Sequence, residues 1–206
     1  RTVNLDMPRM SDLVYMSEFN ENDNLHEYEI VSRLTDADMT QITWFDCQYI
    51  YALIVMSLCN ATLEHDVICS NCGKTVRNTV TFDQLEIVDL DMNDTDFTVK
   101  HKGKSYKFKI LSAQDVADCI DMAQYEDNED ITFEHCKVAM IYGLKAEDWK
   151  FALELTTSEY MTALVYERHI YHGFVCVSDM MCKDCGHETH YRFRMNPQFS
   201  KFDFEP

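Results

Sequence analysis

A five-residue pattern occurs twice in this chain, at positions far apart along the sequence. Residues 69–73 read CSNCG and residues 182–186 read CKDCG. Each copy follows a short apolar segment and leads into residues that alternate between apolar and polar. This pattern is typical of a zinc knuckle, a tight turn in which the glycine takes a positive φ and the backbone N–H groups point at two thiolates. The sequence therefore predicts the same structural unit twice.

Two knuckles together supply the ligand set that one zinc ion requires. Zinc in structural sites binds four ligands at the corners of a tetrahedron, with sulfur at about 2.3 Å, so one cysteine pair provides only half of a site. We predict that one structural Zn²⁺ is bound by the two pairs, Cys69, Cys72, Cys182 and Cys185. His187 or His190 could replace one thiolate, and the spacing does not exclude an iron–sulfur cluster or two pairs without metal.

The chemistry of such a site argues against enzymatic activity. Four thiolates leave no open coordination position for water or substrate, so a hydrolytic role for the metal is disfavoured. A thiol oxidoreductase would need a cysteine pair at a helix N-terminus, whereas both pairs here lead into strand-like alternation. The motifs of nucleotide-binding loops, serine hydrolases and zinc proteases are absent from the sequence. We therefore expect a non-enzymatic protein.

The hydrophobic pattern changes period along the chain and predicts an α+β fold. Two zinc-knuckle β-hairpins would form a split zinc ribbon, with a mainly helical insertion between them. We expect one compact unit built from four consecutive segments: an N-terminal extended segment and buried helix over 1–60, the first knuckle and a lysine-rich hairpin over 61–111, a helical region over 112–172, and the second knuckle over 173–206.

Helix boundaries follow from the periodic segments and from capping residues. We predict helices over 36–58, 113–125, 133–142, 146–155 and 158–171, with an acidic loop over 126–130. Ser112 is predicted to cap the second of these, with Asp115 as its capping-box partner. Ser158 is predicted to cap the last helix and Gly173 to end it. Cysteines outside the knuckles are interpreted as buried core residues, namely Cys47, Cys59, Cys119, Cys136 and Cys176.

The charge balance narrows the classes of partner. The formal net charge is −18, with 36 acidic and 18 basic residues, and such a field repels nucleic-acid phosphates and anionic membranes. The longest apolar run, residues 49–59, is too short for a membrane span, and the nine cysteines do not suggest a secreted disulfide framework. We expect protein partners and a reducing cytoplasm, with nucleic acid unlikely as a ligand.

One cluster of basic residues interrupts this acidity. The segment VKHKGKSYKFK contains five lysines, Lys100, Lys102, Lys104, Lys107 and Lys109. Its alternation predicts a hairpin with Phe97, Val99, Tyr106, Phe108 and Ile110 on one face and most of the lysines in water. We interpret the lysines either as a solvated face or as a contact patch for an acidic protein.

The order of these features resembles the baseplate hub and tail-assembly proteins of T-even-type, contractile-tailed bacteriophages. The resemblance rests on four matched segments, FDCQY over 45–49, the pair Cys69 and Cys72, IVDLD over 87–91, and YKFKIL over 106–111. It implies a structural or assembly component of the virion tail baseplate, made in the host cytoplasm, that contacts other baseplate proteins. The rival interpretation is a cytosolic zinc-ribbon adaptor of nucleic-acid machinery, whose knuckle tip would use Lys183, Arg192 and Arg194.

Overall fold

A computed structural model describes residues 3–6, 9, 11–12, 25–59, 62–81, 84–91, 95–125, 131–194 and 201–203. The chain divides into two compact units, the first formed by residues 1–47 and 90–171 and the second by residues 48–89 and 172–206. Both units are built from segments that are distant in sequence. Helices and small antiparallel sheets are both present, so the predicted α+β class is confirmed.

The first unit is mainly helical. Its elements, in chain order, are α1 (His26–Leu34), the first turn of α2 (Trp44–Cys59), the hairpin strands β4 (Thr98–His101) and β5 (Lys104–Lys107), α3 (Ala113–Tyr125), α4 (Phe133–Ile141), a 3-10 turn (Ala146–Asp148), α5 (Lys150–Glu154) and α6 (Thr157–His169). Helix α4 provides the centre of this unit, because every residue from Cys136 to Ile141 is buried. Helices and hairpin surround it with one continuous apolar cluster.

Aromatic rings fill the centre of that cluster. The Phe108 ring lies 4.7 Å from the Tyr142 ring and 5.1 Å from the Tyr166 ring, both edge-on. Phe97 lies 5.3 Å from Phe108 and fixes the base of the hairpin. Edge-to-face pairs of this kind add to the stabilisation that burial of the rings provides. The hairpin is therefore held to the helices by its apolar face.

The lysine-rich segment forms the predicted hairpin. Strands β4 and β5 pair with Val99 opposite Tyr106, and the chain turns at Lys102 and Gly103, both with positive φ. Tyr106 contacts Tyr142 edge-on at 5.6 Å. The five lysines are exposed, as the alternation predicts.

Two of the helix starts show how capping decides boundaries. Helix α3 begins after Ser112, whose hydroxyl accepts from the Asp115 N–H at 3.1 Å while Asp115 accepts from the Ser112 N–H at 2.9 Å, which confirms the predicted capping box. Helix α6 is capped by Thr156 and Glu159 in the same reciprocal way. The predicted Ser158 cap is wrong, because Thr156 already satisfies the free N–H groups two residues earlier.

Other predicted boundaries also require correction. Helix α2 begins at Trp44, not at residue 36, since Thr43 and Asp46 form a capping box there. The predicted helix over 146–155 is a 3-10 turn followed by the short α5. Gly173 does not end α6, which stops at His169; this glycine opens the next strand. The predicted acidic loop over 126–130 lies outside the described residues.

The second unit contains the remainder of α2 and two three-stranded antiparallel sheets. One sheet has the order β2 (Thr75–Val80), β1 (Thr62–Ile68), β8 (Lys201–Asp203), and the other has the order β3 (Leu85–Val88), β6 (Gly173–Met181), β7 (Glu188–Arg194). Among its described residues, Val80, Phe174 and Cys176 belong to an apolar cluster, against which Tyr49 packs with its ring 4.4 Å from that of Phe174. Among the described residues, no helix has the length and hydrophobicity that a membrane span requires.

Candidate metal centre

The two Cys-x-x-Cys-Gly segments form turns with the same hydrogen bonds. In the first, Cys69 N–H donates to the Lys74 carbonyl at 2.9 Å and Gly73 N–H donates to the Cys69 carbonyl at 2.9 Å. In the second, Cys182 N–H donates to the His187 carbonyl at 2.9 Å and Gly186 N–H donates to the Cys182 carbonyl at 2.8 Å. The predicted structural unit is thus formed twice.

The glycines allow these turns to close. Gly73 has φ of 71° and Gly186 has φ of 69°, values in the left-handed region where a side chain would introduce strain. The turn then directs a backbone N–H at the second sulfur of each knuckle, from Lys74 to Cys72 and from His187 to Cys185. N–H donors in this position stabilise thiolate ligands.

Each knuckle lies at the end of a hairpin of two antiparallel strands. Strands β1 and β2 are in register up to the pair Ile68 and Thr75, next to the first knuckle. Strands β6 and β7 are in register up to the pair Met181 and Glu188, next to the second. Each knuckle is therefore held at both of its ends by a strand ladder.

The two turns meet, and their four sulfur atoms form one cluster. Cys69 Sγ lies 3.7 Å from Cys185 Sγ, and Cys72 Sγ lies 3.7 Å from Cys182 Sγ. All four sulfurs lie within 4.8 Å of one another. Four sulfurs at about 2.3 Å from a central zinc ion would lie about 3.8 Å apart, and the two 3.7 Å contacts match that separation.

The electrostatics of the cluster favour a cation at its centre. Hydrogen bonds from the Asn71 side chain and the His187 backbone lower the pKa of Cys185 to about 6. The Lys74 backbone N–H acts to lower the pKa of Cys72, but desolvation and the neighbouring thiols outweigh it and raise that pKa to about 12. A cation between adjacent thiolates removes their mutual repulsion and would stabilise both sulfurs in the ionised form.

Three further side-chain contacts join the knuckles, and sequence reasoning missed them. Lys74 Nζ lies 2.7 Å from Asp184 Oδ1, the hydroxyls of Ser70 and Thr189 lie 3.4 Å apart, and Asn78 Nδ2 donates to the Tyr191 hydroxyl. Their positions in the sequence could have identified these residues as candidates, because each lies inside a knuckle or within six residues of its second cysteine. Their partners are set by the meeting of the turns, which no local pattern encodes.

The contacts between the knuckles follow a local twofold relation. Cys182 follows Cys69 and Cys185 follows Cys72 by the same number of positions. Exchanging the knuckles therefore converts one of the 3.7 Å sulfur contacts into the other. Asn78 and Tyr191 are also counterparts in this exchange, and they contact each other. The centre of the sulfur cluster thus lies where two similar hairpins meet.

Both histidines proposed as alternative ligands lie outside the sulfur cluster. His190 Nδ1 lies 2.6 Å from Asp179 Oδ1, and the His187 side chain is exposed while its backbone contributes to the turn. The counterpart of the first pair is Asp66 with Arg77, at 3.4 Å. Within the described part of the chain, the set of potential ligands contains the four cysteines alone.

The hairpin lysines and the predicted core cysteines are the remaining residues that the sequence singled out. Most of the hairpin lysines pair within the chain, Lys102 with Glu154, Lys107 with Asp96 and Lys109 with Asp115. Lys104 Nζ lies 4.8 Å from the centre of the Tyr106 ring. The predicted core cysteines with described side chains, Cys47, Cys119, Cys136 and Cys176, are fully buried and carry free thiols.

The fold and the site define a class of α+β protein with a four-cysteine cluster between two β-hairpin knuckles. Comparison with protein families identifies the chain further, because the family model of the T4 bacteriophage base plate protein matches residues 7–200. The chain belongs to this family, and the predicted resemblance is confirmed. Membership indicates a structural protein of the phage tail baseplate, a class in which enzymatic activity is not expected. Searches of curated proteins and of solved structures returned no match.

Proposed function

We propose that this protein is a structural or assembly component of the phage baseplate hub, in which one Zn²⁺ joins the two knuckles into a split zinc ribbon. The observation that carries the metal assignment is the set of four sulfur atoms within 4.8 Å of one another, contributed by Cys69, Cys72, Cys182 and Cys185. The family model carries the assignment to the baseplate. The protein acts through contacts with other baseplate proteins.

The metal in this proposal is structural. Zinc supplies two positive charges that allow the sulfurs to coexist as thiolates, and the four ligands fill its coordination sphere. Cys69 and Cys182 are buried while Cys72 and Cys185 are exposed, so the site lies near the surface without an open position for a substrate. The ion links two hairpins that are far apart in sequence, and no reaction is required of it.

Metal content tests this assignment directly. Elemental analysis of the purified protein is expected to give one zinc per chain. Cys182→Ser should abolish that content and lower the melting temperature, because three ligands cannot hold zinc at comparable affinity. Cys176→Ala is the matched control: it removes a buried cysteine of the same unit, outside the sulfur cluster, and should keep one zinc per chain. Stoichiometric zinc in Cys182→Ser would contradict the shared site.

The hairpin lysines are proposed as part of a protein contact surface. Lys100 and Lys104 are the members of this group that lie nearest to the hairpin turn without a described acidic partner, so they are the residues to substitute. Lys100→Glu together with Lys104→Glu should reduce incorporation of the protein into tail particles purified from infected cells. Lys145→Glu, an exposed lysine outside the hairpin, is the control. Equal incorporation of all variants would exclude the lysines from the contact.

The nucleic-acid interpretation is not favoured, given the net charge of −18 and the pairing of Arg192 with Glu86 at 3.3 Å. Filter binding to DNA and RNA at low salt is the corresponding experiment. Retention that declines steeply with salt would support an adaptor role, and no retention would remove it.

We propose assembly in the host cytoplasm before incorporation into the virion tail.

A further inference from the structure

The strand register of the lysine-rich hairpin separates its lysines onto two faces. Residues opposite each other in an antiparallel pair point to the same side, so one face carries Val99, His101, Lys104 and Tyr106. His101 on this face is 6% exposed, and Val99 and Tyr106 are partly buried. Lys100 lies on the opposite face, whose four residues are all exposed. Lys104 is therefore the exposed cation of the face that packs against the rest of the first unit.

Helix α5 lies against this packed face near the hairpin turn. The Phe151 ring of α5 is 5.4 Å from the His101 ring and 5.3 Å from the Tyr106 ring. Lys102, in the turn itself, forms an ion pair of 2.5 Å with Glu154 at the end of α5. The hairpin tip and α5 therefore present one surface. Binding to this surface requires little ordering of the backbone, because ring contacts and an ion pair already hold the two elements together.

Two cations and one apolar side chain are exposed on this surface. Lys104 Nζ lies 4.8 Å from the centre of the Tyr106 ring, and Lys150 Nζ lies 5.4 Å from that of the Trp149 ring. Leu153 follows Lys150 by three positions on α5, which places both on the same side of the helix, and it is 56% exposed. The described part of the chain supplies neither lysine with an acidic partner.

These features select the chemistry of a partner. The net charge of −18 acts against acidic molecules at long range, but at physiological salt exposed charges act over about 8 Å, so a local cationic patch can bind carboxylates. An exposed leucine beside such cations favours a partner with an apolar side chain, because protein interfaces place apolar contacts inside a polar rim. A second copy of this chain is a poorer occupant, since two chains of net charge −18 repel each other.

We propose that the hairpin tip and α5 form a docking surface for an acidic segment of another baseplate protein. Lys104 and Lys150 pair with carboxylates of this segment, and Leu153 contacts one of its apolar side chains. This inference rests on the proposed function, because it requires a protein that acts through contacts in the baseplate. It restricts the contact of the hairpin lysines to one face, since Lys100 lies on the other.

Charge reversals on the two faces test the location of this surface. Lys104→Glu and Lys150→Glu should each lower incorporation into tail particles purified from infected cells several-fold, because each places a carboxylate opposite the carboxylates of the partner. Lys100→Glu is the matched control from the same hairpin and should be incorporated like the unmodified chain. All three positions are exposed, so the melting temperatures should stay unchanged.

Two results of these substitutions would overturn the proposal. Normal incorporation of Lys104→Glu and of Lys150→Glu would exclude the surface. A loss in Lys100→Glu equal to that in Lys104→Glu would show that the contact is not restricted to one face. Absence of the unmodified protein from tail particles would instead refute the proposed function, together with the inference that rests on it.

A photo-reactive residue at position 153 identifies the occupant. Full-length protein with benzoylphenylalanine in place of Leu153 is assembled into tail particles and irradiated, and the cross-linked peptides are identified by mass spectrometry. The expected segment belongs to another tail protein and contains Asp or Glu, and changing that acidic residue to Lys should restore incorporation of Lys104→Glu. The same photo-reactive residue in place of Val165 on α6, which is also 56% exposed, should not cross-link to this segment.

The cross-links decide between the possible occupants. A cross-link from position 153 to a second copy of this chain, to nucleic acid or to a segment without carboxylates would overturn the proposal. The absence of any cross-link from position 153 in particles that contain the protein would do the same.

Discussion

The two units of this protein differ in how they can be stabilised. The first surrounds the buried helix α4 with a continuous apolar cluster that contains edge-to-face aromatic rings and Trp149. In the second, the described apolar cluster around Val80, Phe174 and Cys176 has fewer buried members. Small cores rarely provide enough buried apolar area to fold alone, and metals or disulfides commonly make up the difference.

A metal bound at the sulfur cluster would add stability to the unit with the smaller described apolar cluster. The sulfur cluster joins the ends of two hairpins that are far apart in sequence. The first unit contains buried cysteines as well, but Cys47, Cys119 and Cys136 serve there as ordinary core side chains. With the proposed structural zinc, hydrophobic packing would stabilise one unit and metal binding the other.

Removing zinc is expected to have the largest effect and to act on one unit alone. Structural zinc contributes on the order of 10 kcal/mol to the folding of small metal-binding units. Dialysis against a chelator should therefore expose the amides of β1, β2, β6 and β7 to hydrogen exchange, while α4 stays protected. Adding zinc back should restore protection. Equal loss of protection in both units, or in neither, would show that the proposed division of stability is wrong.

Truncating the aromatic core is expected to destabilise the first unit and to leave the metal centre of the second unchanged. Phe108 is 3% exposed and contacts Tyr142 and Tyr166, so Phe108→Ala should lower the free energy of unfolding of the first unit by about 3–5 kcal/mol. Zinc content should stay at one per chain. Val165→Ala, at a side chain that is 56% exposed, is the control and should change the unfolding free energy by less than about 0.5 kcal/mol. Zinc loss in Phe108→Ala would show that the units are not independent.

Acid is expected to destabilise the first unit by protonating the Glu159 carboxylate. Hydrogen bonds from the Thr156 backbone and the His101 side chain lower the pKa of this carboxyl from 4.5 to about 2. A lowered pKa in the folded state adds stability above the unfolded value, and this contribution is lost as the pH falls from 4.5 towards 2. Glu159→Gln should flatten this part of the stability profile, measured by denaturant unfolding at each pH. The exposed Glu147→Gln is the control, and an identical flattening in both variants would contradict this role of Glu159.

The smallest effect concerns the start of α6. Thr156→Ala removes the hydroxyl that accepts from the Glu159 N–H and should cost about 1 kcal/mol. Ser158→Ala lies inside the helix and should cost less than about 0.5 kcal/mol. Thermal unfolding of the two variants side by side measures the difference. A larger loss of stability in Ser158→Ala than in Thr156→Ala would instead support Ser158 as the cap, as the sequence pattern predicts.

The grouping of the four cysteines was easier to predict than the helix boundaries, because the local sequence signal is stronger. Two Cys-x-x-Cys-Gly segments specify both a turn and a ligand chemistry, so the repeated pattern is sufficient to group the four cysteines. A helix start depends on small differences between neighbouring capping residues, such as Thr156 and Ser158. Propensity alone does not rank these two, whereas the geometry of the preceding chain does.

The sequence by itself determined the α+β class, the two knuckles, the hairpin with its apolar face and the membership of the baseplate family. These properties follow from short-range patterns, which act between residues a few positions apart. Only the tertiary structure decided that the four sulfurs lie within 4.8 Å of one another, that Lys74 pairs with Asp184, and that the chain divides into two units within α2. Such contacts join residues more than a hundred positions apart, and they depend on how whole hairpins pack, which no local segment encodes.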